Sequence, residues 1–142
     1  LRGLRTLPLL MKQCGDNALK IAQWLENRPE VQKVYYPGLR NNPHHAMWKK
    51  YYRGANGLLS FLLKPAAKKA VAAFCDGLEY FPIGSSWGGY ESLLQPQYLK
   101  SARTAVPWEE KGMLLRIHVG LEDVDDLIAD LEAGFKRYNK AK

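Results

Sequence analysis

Apolar residues recur every three or four positions between Leu4 and Asn27: Leu7, Leu10, Met11, Cys14, Ala18, Ile21, Ala22 and Leu25 form one helix face. Pro8 is tolerable in a first turn, so the regular helix begins close to it, and Arg28-Pro29 ends it. Val31 to Tyr36 reads as a short strand stopped by Pro37-Gly38. A loop with Asn41, Asn42 and Pro43 then leads into a short helix from about His44 to Tyr52. Leu58 to Leu63 is a continuous apolar run between Asn56-Gly57 and Pro65, the length and flanks of a buried strand. Ala66 to Cys75 reads as a helix with Asp76-Gly77 as its stop. Tyr80 to Leu94 mixes short extended pieces with glycines, Gln95 to Trp108 reads mostly as loop, and Met113 to Val119 as a strand. In the last helix, Val124, Leu127, Ile128, Leu131, Phe135 and Tyr138 make one stripe. Its acids Glu122, Asp123, Asp125 and Asp126 and its bases Lys136, Arg137 and Lys140 each sit at the end of the helix dipole that favours them.

Short strands, alternating helices and irregular connections fit an α+β layer, a small mainly antiparallel sheet covered by helices. They fit it at least as well as a parallel doubly wound sheet. The 142 residues are the size of one domain, with an ordinary apolar fraction of 46% and charged fraction of 25%. No apolar run approaches the roughly 20 residues a membrane-spanning helix needs. The opening segment has basic residues and leucines but no continuous apolar centre or small-residue cleavage site, so it reads as helix and not as a signal peptide. Because the chain starts without Met, straight into that helix pattern, it reads as an excerpt from something longer.

The net charge of +7 raises nucleic acid as a partner, and its distribution argues against it. Residues 1–75 hold 13 Lys/Arg against 3 Asp/Glu, and residues 76–142 hold 8 against 11. The basic residues, such as Lys49, Lys50, Arg53, Lys68 and Lys69, are scattered over helix surfaces with no aromatic ladder, as on a solvated face. Cys14 and Cys75 lie far apart in no metal-like spacing, which points to small core residues and a reducing, cytoplasmic setting. His44, His45 and His118 make no metal set, and Ser86 and Ser92 lack a nucleophile-elbow spacing.

Two places break the pattern of an ordinary core. Arg116 lies inside Leu114-Leu115-Arg116-Ile117-His118-Val119, where alternation turns Leu115, Ile117 and Val119 one way and Leu114, Arg116 and His118 the other. A buried arginine needs an anionic partner, and its guanidinium matches a carboxylate in two-point fashion. An edge strand with Arg116 in water, or an ion pair with a nearby acid, is the bland alternative. The second place is Ile83 to Leu93, with three glycines, three serines and two aromatics in eleven residues. Glycines let backbone approach a ligand, and serine and indole groups donate to anions. A plain surface loop with a buried Trp anchor is equally open.

Several segments, in order, resemble the pyridoxal-phosphate (PLP) enzymes of transsulfuration and Cys/Met metabolism. They include Arg2-Gly3-Leu4-Arg5-Thr6-Leu7, Gly57-Leu58-Leu59-Ser60-Phe61, Ser86-Trp87-Gly88-Gly89-Tyr90-Glu91-Ser92-Leu93 and Leu115-Arg116-Ile117-His118-Val119-Gly120-Leu121-Glu122-Asp123. The cystathionine β-lyase branch is resembled best. Trp87 stands where γ-acting relatives commonly have leucine, and Tyr90 follows the glycines. The resemblance implies that Ser86, Trp87 and Arg116 bind the α-carboxylate of an amino-acid substrate, cystathionine. It implies a division at residue 28, with 1–28 a long helix linking to an N-terminal PLP-binding domain and 29–142 a C-terminal small domain. The Schiff-base lysine, phosphate loop and cofactor aspartate belong to that other domain, and no lysine here stands in a Ser/Thr-x-Lys context. The resemblance therefore implies no catalytic, cofactor-binding or metal residue in residues 1–142, no turnover by them alone, and a homotetramer when full length.

Overall fold

The computed structural model describes residues 1–142. After a 3-10 turn at Gly3–Arg5 come α1 (Leu7–Glu26), β1 (Val31–Tyr35), α2 (His45–Tyr51), β2 (Leu58–Leu63), α3 (Lys68–Cys75), β3 (Leu93–Gln97), β4 (Leu114–His118) and α4 (Val124–Lys140). The strands form one open sheet in the order β1-β2-β4-β3, with every neighbouring pair antiparallel. The fold is therefore α+β, and the doubly wound parallel alternative is excluded. The apolar run of β2 and the Arg116 strand β4 are its two inner strands.

β3 corrects the sequence reading, which placed Gln95 onward in loop. Leu93-Leu94-Gln95-Pro96-Gln97 contains a proline and no clean alternation. It pairs along β4 all the same, and as an edge strand it tolerates the missing N–H. Only Leu94 of this strand is fully buried.

The core lies between one face of the sheet and α1, α3 and α4. Phe61, Leu63, Leu94, Leu115 and Ile117 from the strands meet Ile21 and Leu25 of α1, Phe74 of α3, and Leu127, Leu131, Phe135 and Tyr138 of α4. At its centre the rings of Phe74 and Phe135 lie 4.8 Å apart, with Phe61 beside both. Gly134 lets α4 close on α3, since a Cβ there would stand 3.0 Å from Phe74 and Leu78. The turn leaving α3 is held by Asp130 of α4, whose carboxylate accepts the backbone N–H groups of Glu79 and Tyr80.

The predicted face of α1 is a core face only along its second half. Cys14, Ala18, Ile21, Ala22 and Leu25 are buried, whereas Leu7 and Met11 are exposed, as are Leu4 and Leu9. Of these first turns, Leu10 and Met11 border a cleft shared with Leu58, Trp87 and His118. Tyr36, fully enclosed, ties the middle of α1 to the turn before β2 by donating to the carbonyls of Asn56 and Gly15. Burial pushes its hydroxyl pKa well above the ordinary range, with the charge of Asp16 adding to the effect.

Candidate functional site

β4 separates its residues by alternation. Leu115 and Ile117, with Val119 just beyond, are fully buried in the core, and Arg116 and His118 rise from the opposite face. Arg116 is half-buried on an inner strand, opposite Ser60 on one side and Gln95 on the other. Water at a sheet edge therefore does not explain it. Nor does an acid: the ion pairs of the chain are Lys12–Asp16, Arg28–Glu30 and Lys136–Glu132. Its Nη2 donates instead to the carbonyls of Ser85 at 2.7 Å and Ser86 at 3.5 Å, and its guanidinium lies 5.0 Å from the Trp87 ring centre. Nε and Nη1 make no hydrogen bond within the protein. The arginine is thus oriented by two carbonyls and an aromatic face, with donors left over and its charge unmatched.

The structure brings Ser86, Trp87 and Arg116 together. Trp87 is 59% exposed, so it is not the buried anchor of a plain loop. Ser86 is exposed and joins through its carbonyl, its hydroxyl having no partner in the chain. Gly88 follows at φ +86°, a left-handed conformation that turns the chain sharply after Trp87.

His118, Glu122 and Asn17 support this loop from outside it, and sequence reasoning assigned none of them to it. His118, buried, bonds the Gly89 carbonyl through Nε2 at 3.1 Å. Glu122 accepts both the N–H and the hydroxyl of Ser92, and that hydroxyl accepts from the N–H of Gly120. Asn17 of α1 donates to the carbonyls of Gly120 and Glu122. A Cβ on Gly120 would collide with the Tyr90 carbonyl, and Leu121 donates to that same oxygen at 2.8 Å. A signal for Asn17 was available: it falls at helical spacing between Cys14 and Ile21, and an amide on a buried stripe needs partners. Glu122 carried no such signal, because an acid before a helix reads first as a dipole partner.

The chain matches the family model for Cys/Met metabolism PLP-dependent enzymes over residues 1–136. It belongs to that family. It is 46% identical over 140 residues to the cystathionine beta-lyase of Salmonella typhimurium, covering 96% of this chain and 35% of that protein. An L-alanine/L-glutamate racemase of Wolbachia pipientis is 40% identical over 138 residues, covering 96% of this chain and 34% of the racemase. Among solved structures, cystathionine gamma synthase from Xanthomonas oryzae in complex with cystathionine superposes with TM-score 0.85 at 38% identity, over 99% of this chain and 38% of that one. The chain thus spans about a third of the length of the curated relatives it matches, here 35%.

The family uses PLP, and the residues present do not fit that cofactor. Every lysine of the chain is exposed on the surface, so none offers the enclosed amine that a Schiff base requires. No group of three His, Cys, Asp or Glu side chains is placed to hold a metal. The thiols are free, buried and inert: burial, with the nearby Asp76 charge, pushes Cys75 up to about 11, and burial, with Glu122, raises Cys14. Nε and Nη1 of Arg116 are the donors that the site leaves without a partner in the chain.

Proposed function

We propose that this chain is the substrate-carboxylate-holding part of a PLP-dependent carbon–sulfur β-lyase that cleaves cystathionine to homocysteine, pyruvate and ammonia. One observation carries the proposal: a guanidinium on an inner strand, oriented by the Ser85 and Ser86 carbonyls and by Trp87, with no carboxylate of its own chain. Arg116 offers the fixed donor fork that pairs a carboxylate at two points. Ser86 offers a free hydroxyl donor, and Trp87 walls one side from water. A carboxylate gripped this way fixes the rotation of the substrate about its Cα, and so decides which Cα bond is presented to the reacting group. PLP, when bound, supplies carbanion stabilisation. In this proposal its lysine and phosphate site lie outside residues 1–142, which alone neither bind it tightly nor turn over. The exposed leucines of α1 support a larger partner surface, the N-terminal PLP domain; a homotetramer belongs to the same proposal. Free buried thiols support a reducing, cytoplasmic setting.

Trp87 and the β-lyase identity favour β-elimination. The grip alone does not choose, because alanine, glutamate and cystathionine all present an α-carboxylate, so the γ-synthase and racemase relatives would be served by the same arginine. Product analysis of the complete enzyme on cystathionine makes the choice. Pyruvate with homocysteine is expected. 2-Oxobutyrate with cysteine would establish γ-elimination instead, and D-alanine from L-alanine without C–S cleavage would establish a racemase.

A further inference from the structure

We infer that His118 is a positioning residue for the carboxylate grip, its ring N–H holding the far end of the Ser85–Gly89 arch so that Ser86 and Trp87 stay against Arg116. The inference deepens the proposed function and rests on it. Ser85 to Tyr90 are all exposed, and no atom lies within 4 Å of the Cβ position at Gly88 or Gly89, so the two glycines pack on nothing. The conformation of the arch depends on polar ties. Arg116 holds the Ser85 and Ser86 carbonyls, and two residues further along the same face of β4 His118 holds Gly89. Because the Gly89 oxygen can only accept, Nε2 carries the proton. The ring is braced for this task. His118 is flanked across the sheet by Leu58 and Leu93, and a Cβ on Gly57 would stand 2.9 Å from its Cε1 and 3.1 Å from Nδ1. Nδ1 is buried with no partner, so the bond to Gly89 is the only hydrogen bond the ring makes.

The tie matters because the arch has somewhere else to go. A cleft of about 180 Å³ lies behind Trp87, lined by Met11, Cys14, Leu58 and His118 among others. Trp87 already borders this cleft, so an indole released with Gly89 has an apolar surface to turn toward, away from the guanidinium. A substrate that engages Arg116 competes with the carbonyls at the near end of the arch.

The test is steady-state kinetics on the holoenzyme with His118→Phe and His118→Gln, beside Arg116→Lys as control. His118→Phe keeps the ring volume and removes the donor, so KM for the amino-acid substrate rises about tenfold with kcat within about threefold, the order expected for one lost hydrogen bond. His118→Gln places an N–H near the position of Nε2 and returns KM to within about threefold of the parent. A role in packing alone predicts the reverse ranking, Phe tolerated and Gln impaired, and that ranking would overturn the inference. Should His118→Phe fail to fold, His118→Asn replaces it: its shorter amide cannot reach Gly89, so KM rises as for Phe, and an Asn variant equal to Gln would overturn the inference. If Arg116→Lys raises KM while every His118 variant leaves it unchanged, the inference fails and the proposed function survives. If Arg116→Lys leaves KM unchanged, the proposed function itself fails.

Discussion

The two faces of β4 are made by the same five-residue strand and answer to different requirements. On the inner face, Leu115 and Ile117 are fully buried and belong to a cluster that includes Phe61, Phe74 and Phe135. Removing apolar surface from water accounts for that side completely. On the outer face, Arg116 and His118 make polar contacts instead: a cation set on two carbonyls and an indole, and a buried ring tied to an exposed glycine arch. A half-buried charge with no counter-charge is a cost to the fold. The contrast teaches that, on an inner strand, the side chains that packing does not require are the ones to examine for a ligand.

The comparison can be broken or sharpened by substitutions on its two sides. The largest effect belongs to the inner face. Phe135→Ala removes a ring packed on Phe74 at 4.8 Å and on Trp24 and Phe61, and should cost about 3–5 kcal/mol in denaturant unfolding. Asp130→Ala leaves the N–H groups of Glu79 and Tyr80 without an acceptor and should cost about 2 kcal/mol, seen as a lower thermal midpoint. On the outer face, Arg116→Ala should change stability by less than about 1 kcal/mol, since it breaks no ion pair and opens no cavity in the core. A loss as large as that of Phe135→Ala would place Arg116 among the residues that support the fold and erase the distinction.

The smallest effect is a pH dependence away from both faces. Burial alone would raise the Glu30 carboxyl, but hydrogen bonds from Asn139 and the backbone, with the charge of Arg28, outweigh it and hold the pKa below the ordinary value of 4.5. A depressed carboxylate contributes stability that is present above 4.5 and is lost as pH falls through the lowered folded value. Glu30→Gln should therefore flatten the acid limb of a stability-against-pH curve, and an unchanged limb would show that the carboxylate charge plays no part.

The periodic elements were legible in the sequence, for a physical reason. α4, β2 and β4 each bury one continuous stripe or run, and a stripe is visible as spacing. Leu127, Leu131, Phe135 and Tyr138 are all fully buried where the period places them. β3 was not legible, because an edge strand needs only one inward residue, Leu94, and can carry Pro96. Nor was the exposure of Leu7 and Met11, which depends on what the rest of the fold places beside α1 and not on α1 itself. Of the site, Arg116 and the glycine loop stood out as misfits, and the resemblance named Ser86 and Trp87 beside them. The supports Ser92, His118 and Glu122 act through contacts across 28 to 30 positions of sequence, which no local pattern encodes, and Asn17, readable as an amide on a buried stripe, finds its partners 103 and 105 positions away.

The most direct measurement is kcat/KM of the Arg116→Lys holoenzyme on cystathionine, read together with the visible absorbance of its bound cofactor. Lysine keeps the charge and loses the planar fork, so kcat/KM should fall by about a hundredfold while the cofactor band is unchanged. An unchanged kcat/KM, or loss of the cofactor band with substrate affinity intact, would contradict the assignment of Arg116 to the substrate carboxylate.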